Sequence, residues 1–174
     1  MFDPRSFIAD CLTAVRADPT HKSVLRLMQA AFADPAAVRA AFPADQATTL
    51  TPLHRSDELT VLNVIWKPGM AVPPHNHNMW AVIGVYDGRE DNIFWKQRPD
   101  GRVEARGAQA LATGDVVALG RDIIHSVHNP LARESSAIHV YGGDFFADGR
   151  SEWDAETLSE LAYDLAVARA RFGG

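Results

Sequence analysis

Residues 69–88, GMAVPPHNHNMWAVIGVYDG, and residues 114–129, GDVVALGRDIIHSVHN, decide how this chain is read. Each stretch opens on glycine and carries histidine beside a short β-branched or aromatic run. His75 and His77 are two residues apart, so on a strand both rings point to one face. His125 lies about 50 residues later, inside another short strand-like run. Three imidazoles converging from two strands can bind a divalent first-row metal. Three protein ligands also leave coordination positions open for a substrate and dioxygen.

Working outward, residues 48–147 alternate short apolar runs with turn signals. LTVLNVIW (59–66), MWAVIGVY (79–86), NIFWKQ (92–97) and GRVEARGAQALA (101–112) read as strands, followed by DVVALG, IIHSVHN and SSAIHVYG. Asp87-Gly88 is a strong hairpin signal, and Lys67-Pro68-Gly69-Met70 and Arg98-Pro99-Asp100-Gly101 are turns. Many short strands at similar spacing predict a mainly β fold, a sandwich or a closed barrel. Residues 1–45 read instead as helical. Phe7, Ile8, Leu12 and Val15 share one face, as do Val24, Leu27, Met28 and Ala31. Asp18-Pro19 breaks the first helix, and Asp34-Pro35 starts a third. Residues 154–172, acidic at the start and basic at the end, predict one C-terminal helix. With 174 residues, a single domain over 1–174 is expected.

The 17 basic residues are outnumbered by 22 acidic ones, for a net charge of −5, and no basic run occurs. No nucleic-acid or membrane partner is expected. One cysteine, Cys11, excludes an intrachain disulfide framework. The start does not read as a signal peptide, and no run approaches the roughly 20 apolar residues needed to span a bilayer. A cytoplasmic protein, monomer or homodimer, is expected.

The two opening stretches resemble the paired motifs of the cupins. The first motif is Gly, five residues, His-x-His, three or four residues, Glu, six residues, Gly. The second is Gly, five residues, Pro-x-Gly, two residues, His, three residues, Asn. Here Gly69, His75, His77 and Gly88 match the first, and Gly114, His125 and Asn129 match the second. The resemblance implies a double-stranded β-helix (jelly-roll) barrel with N-terminal helices and a C-terminal helix. The chain departs from the pattern twice. Ala81 stands at the glutamate position, and Gly120-Arg121-Asp122 replaces Pro-x-Gly. The ligand set implied is then three neutral histidines, His75, His77 and His125. Such a set leaves the full charge on a 2+ metal, which favours an anionic donor such as a thiolate.

Three histidines without the glutamate, on a barrel of this length, resemble the cysteine dioxygenase (thiol dioxygenase) family, with PPHNHNMWAVIGVYDGREDN similar to its bacterial branch. The resemblance covers roughly residues 50–145. It implies ferrous iron, Fe(2+), and a small thiol carboxylate, cysteine or 3-mercaptopropionate, oxidised by O2 to the sulfinate. The family's Ser-x-His-x-Tyr relay aligns with Ala137-x-His139-x-Tyr141. His139 and Tyr141 therefore carry over as catalytic candidates, and the serine does not. Ser135 or a water could take its place. Some members cross-link a cysteine to this tyrosine. Cys11 lies in a predicted helix, so no cross-link is expected.

A carboxylate substrate calls for arginine. Arg55 stands where cysteine-using members carry theirs, and Arg150 lies nine residues past Tyr141, as in members acting on 3-mercaptopropionate. Arg89 is a third candidate. Strand parity makes Met79 a candidate wall of the substrate pocket, while His21, His54 and His128 read as peripheral. The alternative reading is a non-oxygenase metal-binding cupin that binds or isomerises a small metabolite.

Overall fold

A computed structural model describes residues 1–43, 50–147 and 149–172. The expected end of the helical segment at 45 and start of the barrel at 48 lie outside the described residues.

Three helices come first: α1 (Pro4–Ala17), α2 (His21–Ala31) and α3 (Pro35–Arg39). Asp3, Thr20 and Asp34 cap them, each accepting from a backbone N–H of the first turn. Capping satisfies donors that have no partner within the helix. Eleven strands follow among the described residues: β1 (Leu50–Arg55), β2 (Thr60–Trp66), β3 (Ala71–Asn76), β4 (Ala81–Asp87), β5 (Arg89–Gln97), β6 (Val103–Ala112), β7 (Val116–Leu119), β8 (Ile124–His128), β9 (Ser135–Tyr141), β10 (Ser151–Trp153) and β11 (Glu160–Ala162). They form two antiparallel sheets, ordered β1-β2-β9-β4-β7 and β11-β10-β3-β8-β5-β6. The architecture is the mainly β double-stranded β-helix with N-terminal helices and a C-terminal helix.

The five-stranded sheet is covered on both faces, which explains the unbroken apolar runs of β2 and β4. Leu62, Val64, Ala81, Ile83, Val85 and Ala137 point into the barrel, where they meet Val72, Leu111 and Val127. Val61, Val82, Tyr86, Ile138 and Val140 point out and pack against Phe7, Cys11, Val24, Met28, Phe32 and Val38 of the helices. The period-2 alternation of each strand thus feeds two cores. Asn129 ties the barrel end together. Its side-chain NH2 donates to the carbonyls of Trp66, Lys67 and Arg133, and its oxygen accepts from the Leu131 N–H.

The C-terminal region corrects one expectation. The predicted helix over 154–172 is instead a turn, the strand β11 and the short helix α4 (Leu165–Arg171). Asp154 accepts from the backbone of Glu156 and Thr157. The chain then turns back at Leu158, whose φ is 57°. Pairing of β11 with β10 follows, and β10 in turn adds to β3. Sheet pairing overrides a helical pattern that is only a weak local preference. Asp164 caps what remains of the helix.

Candidate metal centre

β3 and β8 bring the three histidines together. His75 pairs directly with His125 across the ladder. His77 lies just past the end of β3, where Asn78 turns the chain with φ 56°. The Nε2 atom of His77 sits 3.2 Å from the Nε2 of His75 and 3.2 Å from that of His125. All three ligating atoms fall within 4.8 Å of one another. That spacing is what two imidazoles sharing one first-row ion adopt, with metal–nitrogen distances of about 2.1 Å.

Electrostatics agree with that geometry. Burial pushes His75 down to about 4. His77 and His125 are also held well below the ordinary histidine value, first by burial and then by neighbouring histidines. All three rings are therefore neutral at pH 7, with lone pairs free to ligate. The outer nitrogens of two rings are engaged. His75 Nδ1 lies 2.9 Å from the Pro73 carbonyl, and His125 Nδ1 lies 2.7 Å from Asn92 Oδ1. Such contacts fix tautomer and ring orientation in metal-binding histidines. His77 Nδ1 is buried and has no hydrogen-bond partner among the described residues. The neutral, convergent donor set fits a divalent ion. Ala81 is buried opposite Tyr141 and Leu119 on the inner face, where it contributes no donor.

Tyr141 stands beside the cluster, its ring 5.0 Å from His77 centroid to centroid and edge-on. Burial pushes its hydroxyl above the usual phenol value, so it stays protonated at neutral pH. Its hydroxyl lies 3.0 Å from His139 Nδ1. The other nitrogen of His139 lies 3.2 Å from Glu90 Oε2. Glu90 has no solvent exposure. It also accepts from Trp66 Nε1 at 3.0 Å and from Asn92 Nδ2 at 3.1 Å. Ser135, by contrast, holds the β4–β5 hairpin. Its hydroxyl accepts from the Arg89 N–H and donates to the Asp87 carbonyl. It does not reach His139.

The arginines separate by environment. Arg55 is half exposed and forms a two-bond pair with Asp144, both contacts 2.8 Å. Arg89 pairs with Asp91 at the surface. Neither is brought to the histidines. Arg150 is 6% exposed, and its Nε and one terminal nitrogen are buried with no hydrogen-bond partner among the described residues. It is held between two rings, 4.3 Å from the Phe145 centroid and 4.0 Å from that of Tyr163. Its charge acts on His75, His77 and Tyr141, lowering the pKa of each. Met79 packs near Gly143 and does not line the cavity around the histidines, which departs from its expected place as a pocket wall.

That cavity is small, about 40 Å³, and is lined by the three histidines, His139, Tyr141, Phe145, Tyr163 and apolar residues of both sheets. Sequence reasoning missed Glu90, Asn92, Trp66, Phe145, Tyr163 and Phe172. The alternation from Gly88 onward places Glu90 and Asn92 on one strand face, and that was the available signal. Tyr163 and Phe172 fall in the region read as one long helix, which concealed them. His128 is exposed on β8, and His54 contacts Ser56.

No family model matches the chain. Among solved structures it is similar to a Bacillus halodurans protein, at 16% identity and a TM-score of 0.50, over 56% of this chain and 72% of that one. It is also similar to an RmlC-like cupin family protein with a double-stranded β-helix fold from Methanocaldococcus jannaschii. That match has 12% identity and a TM-score of 0.49, over 60% of this chain and 88% of the other. A third is a DMSP lyase from Ruegeria pomeroyi, at 20% identity and a TM-score of 0.45, over 58% and 46%. At 16% identity the likeness to the Bacillus halodurans protein is one of fold alone, and fold does not fix function. The chain has a double-stranded β-helix fold of two antiparallel sheets, with three buried histidines inside it that could hold a metal ion.

Proposed function

We propose that the protein is a non-haem iron(II) thiol dioxygenase that converts a small thiol carboxylate and O2 to the sulfinate. The observation that carries this reading is, among the described residues, a buried triad of neutral histidines with no carboxylate ligand, beside a protonated tyrosine and a buried arginine with two nitrogens that have no hydrogen-bond partner. His75, His77 and His125 would hold ferrous iron. When bound, iron supplies the thiolate-binding and dioxygen-activating chemistry.

The other residues bind, orient and exclude water. Arg150 does not itself line the cavity but packs on two rings that do, Phe145 and Tyr163, and with two nitrogens lacking a partner among the described residues it receives the substrate carboxylate in a bidentate pair. Tyr141 offers its hydroxyl to the reacting thiol group and exchanges a hydrogen bond with His139. Phe145, Val64, Val127 and Trp66 keep the cavity apolar, which strengthens each of these polar contacts.

The test is oxygen uptake by iron-loaded protein on L-cysteine, 3-mercaptopropionate and cysteamine. Uptake on a carboxylate thiol, with sulfinate formed and cysteamine inert, supports the reading. Activity on cysteamine equal to that on the acids removes the role given to Arg150. A protein that retains zinc or nickel and consumes no oxygen on any thiol is a cupin of another class.

A further inference from the structure

Glu90 is a carboxylate with no solvent exposure, and its hydrogen-bond partners include no arginine or lysine among the described residues. Charged side chains are almost never fully buried unless their bonds are satisfied. Its surroundings explain its tolerance. Oε1 faces Asn92 Nδ2, and Oε2 faces both Trp66 Nε1 and His139 Nε2. An indole nitrogen can only donate. The orientation of Asn92 is set from the other side. If His125 ligates through Nε2, its Nδ1 carries the proton and donates to Asn92 Oδ1 at 2.7 Å. The Asn92 NH2 must then donate to Glu90. Two donors, Trp66 Nε1 and Asn92 Nδ2, therefore meet this carboxyl group, and His139 Nε2 lies against the same oxygen as Trp66.

Two branches meet at this carboxylate. One runs through Asn92 to His125. The other runs through His139 to Tyr141 at 3.0 Å. We infer that Glu90 is a positioning residue of the metal centre. It holds His125 in its ligating tautomer through Asn92, and it fixes His139, and so the Tyr141 hydroxyl, in the role that Ala137 cannot fill. This inference rests on the metal-binding reading of the three histidines, and not on which substrate is used.

The donor pattern makes a sharp test possible. In Glu90→Gln the amide has one donating end. Turned toward Trp66 it would oppose an indole N–H that has no alternative. It therefore turns toward Asn92, whose amide must flip and present its NH2 to His125 Nδ1. His125 then has to accept at Nδ1 and carry its proton on Nε2, which removes that lone pair from the metal. In the double variant Glu90→Gln/Asn92→Asp, the carboxylate introduced at position 92 accepts both from the amide introduced at position 90 and from His125 Nδ1–H. The ligating tautomer then returns.

The experiment is titration of metal-free protein with cobalt(II), read by its d–d absorption and by chelator competition. Glu90→Gln is expected to weaken binding by roughly 10- to 100-fold, the usual effect of losing a partner of a ligating histidine. The double variant is expected to recover most of it, with a cobalt spectrum like that of the parent protein. A merely structural carboxylate would lower thermal stability without this reciprocal rescue. Unchanged cobalt affinity in Glu90→Gln, or no recovery in the double variant, overturns the inference. If Glu90→Gln alone does not fold, a cooperative thermal transition and cobalt binding regained in the double variant support it, and their absence overturns it. Parent protein that binds no cobalt overturns the metal reading itself, and this inference with it.

Discussion

His75 faces His125 across the β3–β8 ladder only because an extra residue intervenes in β3. Val72 pairs with Val127 and His75 pairs with His125, so three steps on one strand match two on the other. Both valines point into the barrel. Strict alternation from Val72 would turn His75 outward. The bulge falls at Pro73-Pro74, where neither residue can donate to the ladder. Bulges re-aim side chains next to functional sites, and here one aims a histidine at its partner.

Loss of either partner should therefore empty the centre. His75→Ala and His125→Ala are each expected to drop metal content to near zero after dialysis, measured by elemental analysis. His54→Ala, which changes a residue hydrogen-bonded to Ser56 and not placed among the three histidines, should retain the parent stoichiometry. Equal metal content in all three would mean that the buried triad is not the binding site.

Arg150 separates substrates by charge. Arg150→Met preserves much of the bulk between Phe145 and Tyr163 while removing the guanidinium. The KM for a thiol carboxylate should rise by roughly two orders of magnitude, the scale of one lost buried charged pair. Turnover of cysteamine, if any, should be unaffected. Arg55→Met, which breaks a surface pair with Asp144 and a contact over the Phe146 ring, should leave KM within about twofold, since exposed pairs contribute little.

Cys11 is an inert thiol. Burial pushes it up to about 12, and the nearby Asp10 adds to the shift. Native protein should resist thiol-modifying reagents at pH 8, reacting only after denaturant is added. Because the folded value lies above the unfolded one, near 9, folding keeps this proton longer than the unfolded chain does. The stability linked to it is complete below pH 9 and is lost as pH rises toward 12. A denaturation midpoint that climbs between pH 9 and 11 would contradict this.

Gly142 follows Tyr141 directly and cannot carry a side chain. A Cβ there would come within 2.1 Å of the Trp80 ring. Trp80 is anchored by its N–H to the Pro19 carbonyl between α1 and α2, and so joins the barrel to its helices. Gly142→Ala should force this ring out and destabilise the fold by about 2 kcal/mol or more, in the range of overpacking substitutions. Chemical denaturation would read it directly. Gly149→Ala meets no neighbouring atoms, but its φ of 88° disfavours alanine, so a cost of about 1 kcal/mol is expected.

Much of the framework was legible locally. Strands β2, β4, β5, β7, β8 and β9 fall within a few residues of their expected places, because hairpin and turn residues mark their ends. The helix cap Asp34 follows from the proline after it. The C-terminal region was not legible, because Leu161 and its neighbours carry a helical pattern yet gain more from pairing with β10. Glu90 was not legible as a site residue. A charged residue in Arg89-Glu90-Asp91-Asn92 reads as solvated, and its partners Trp66 and His139 lie 24 and 49 residues away.

By itself, the sequence determined that His75, His77 and His125 sit in cupin-like glycine frames and that Ala81 offers no carboxylate. Those facts are spacings and residue identities, which a linear chain carries in full. Only the tertiary structure decided that the Pro73-Pro74 bulge turns His75 inward and that Arg150 is buried with two nitrogens lacking an acceptor among the described residues while Arg55 pairs with Asp144. It alone decided, too, that Glu90 gathers hydrogen-bond partners from three strands. Each of these depends on which sheet lies across the barrel, and burial and hydrogen-bond satisfaction are properties of that packing rather than of any one segment.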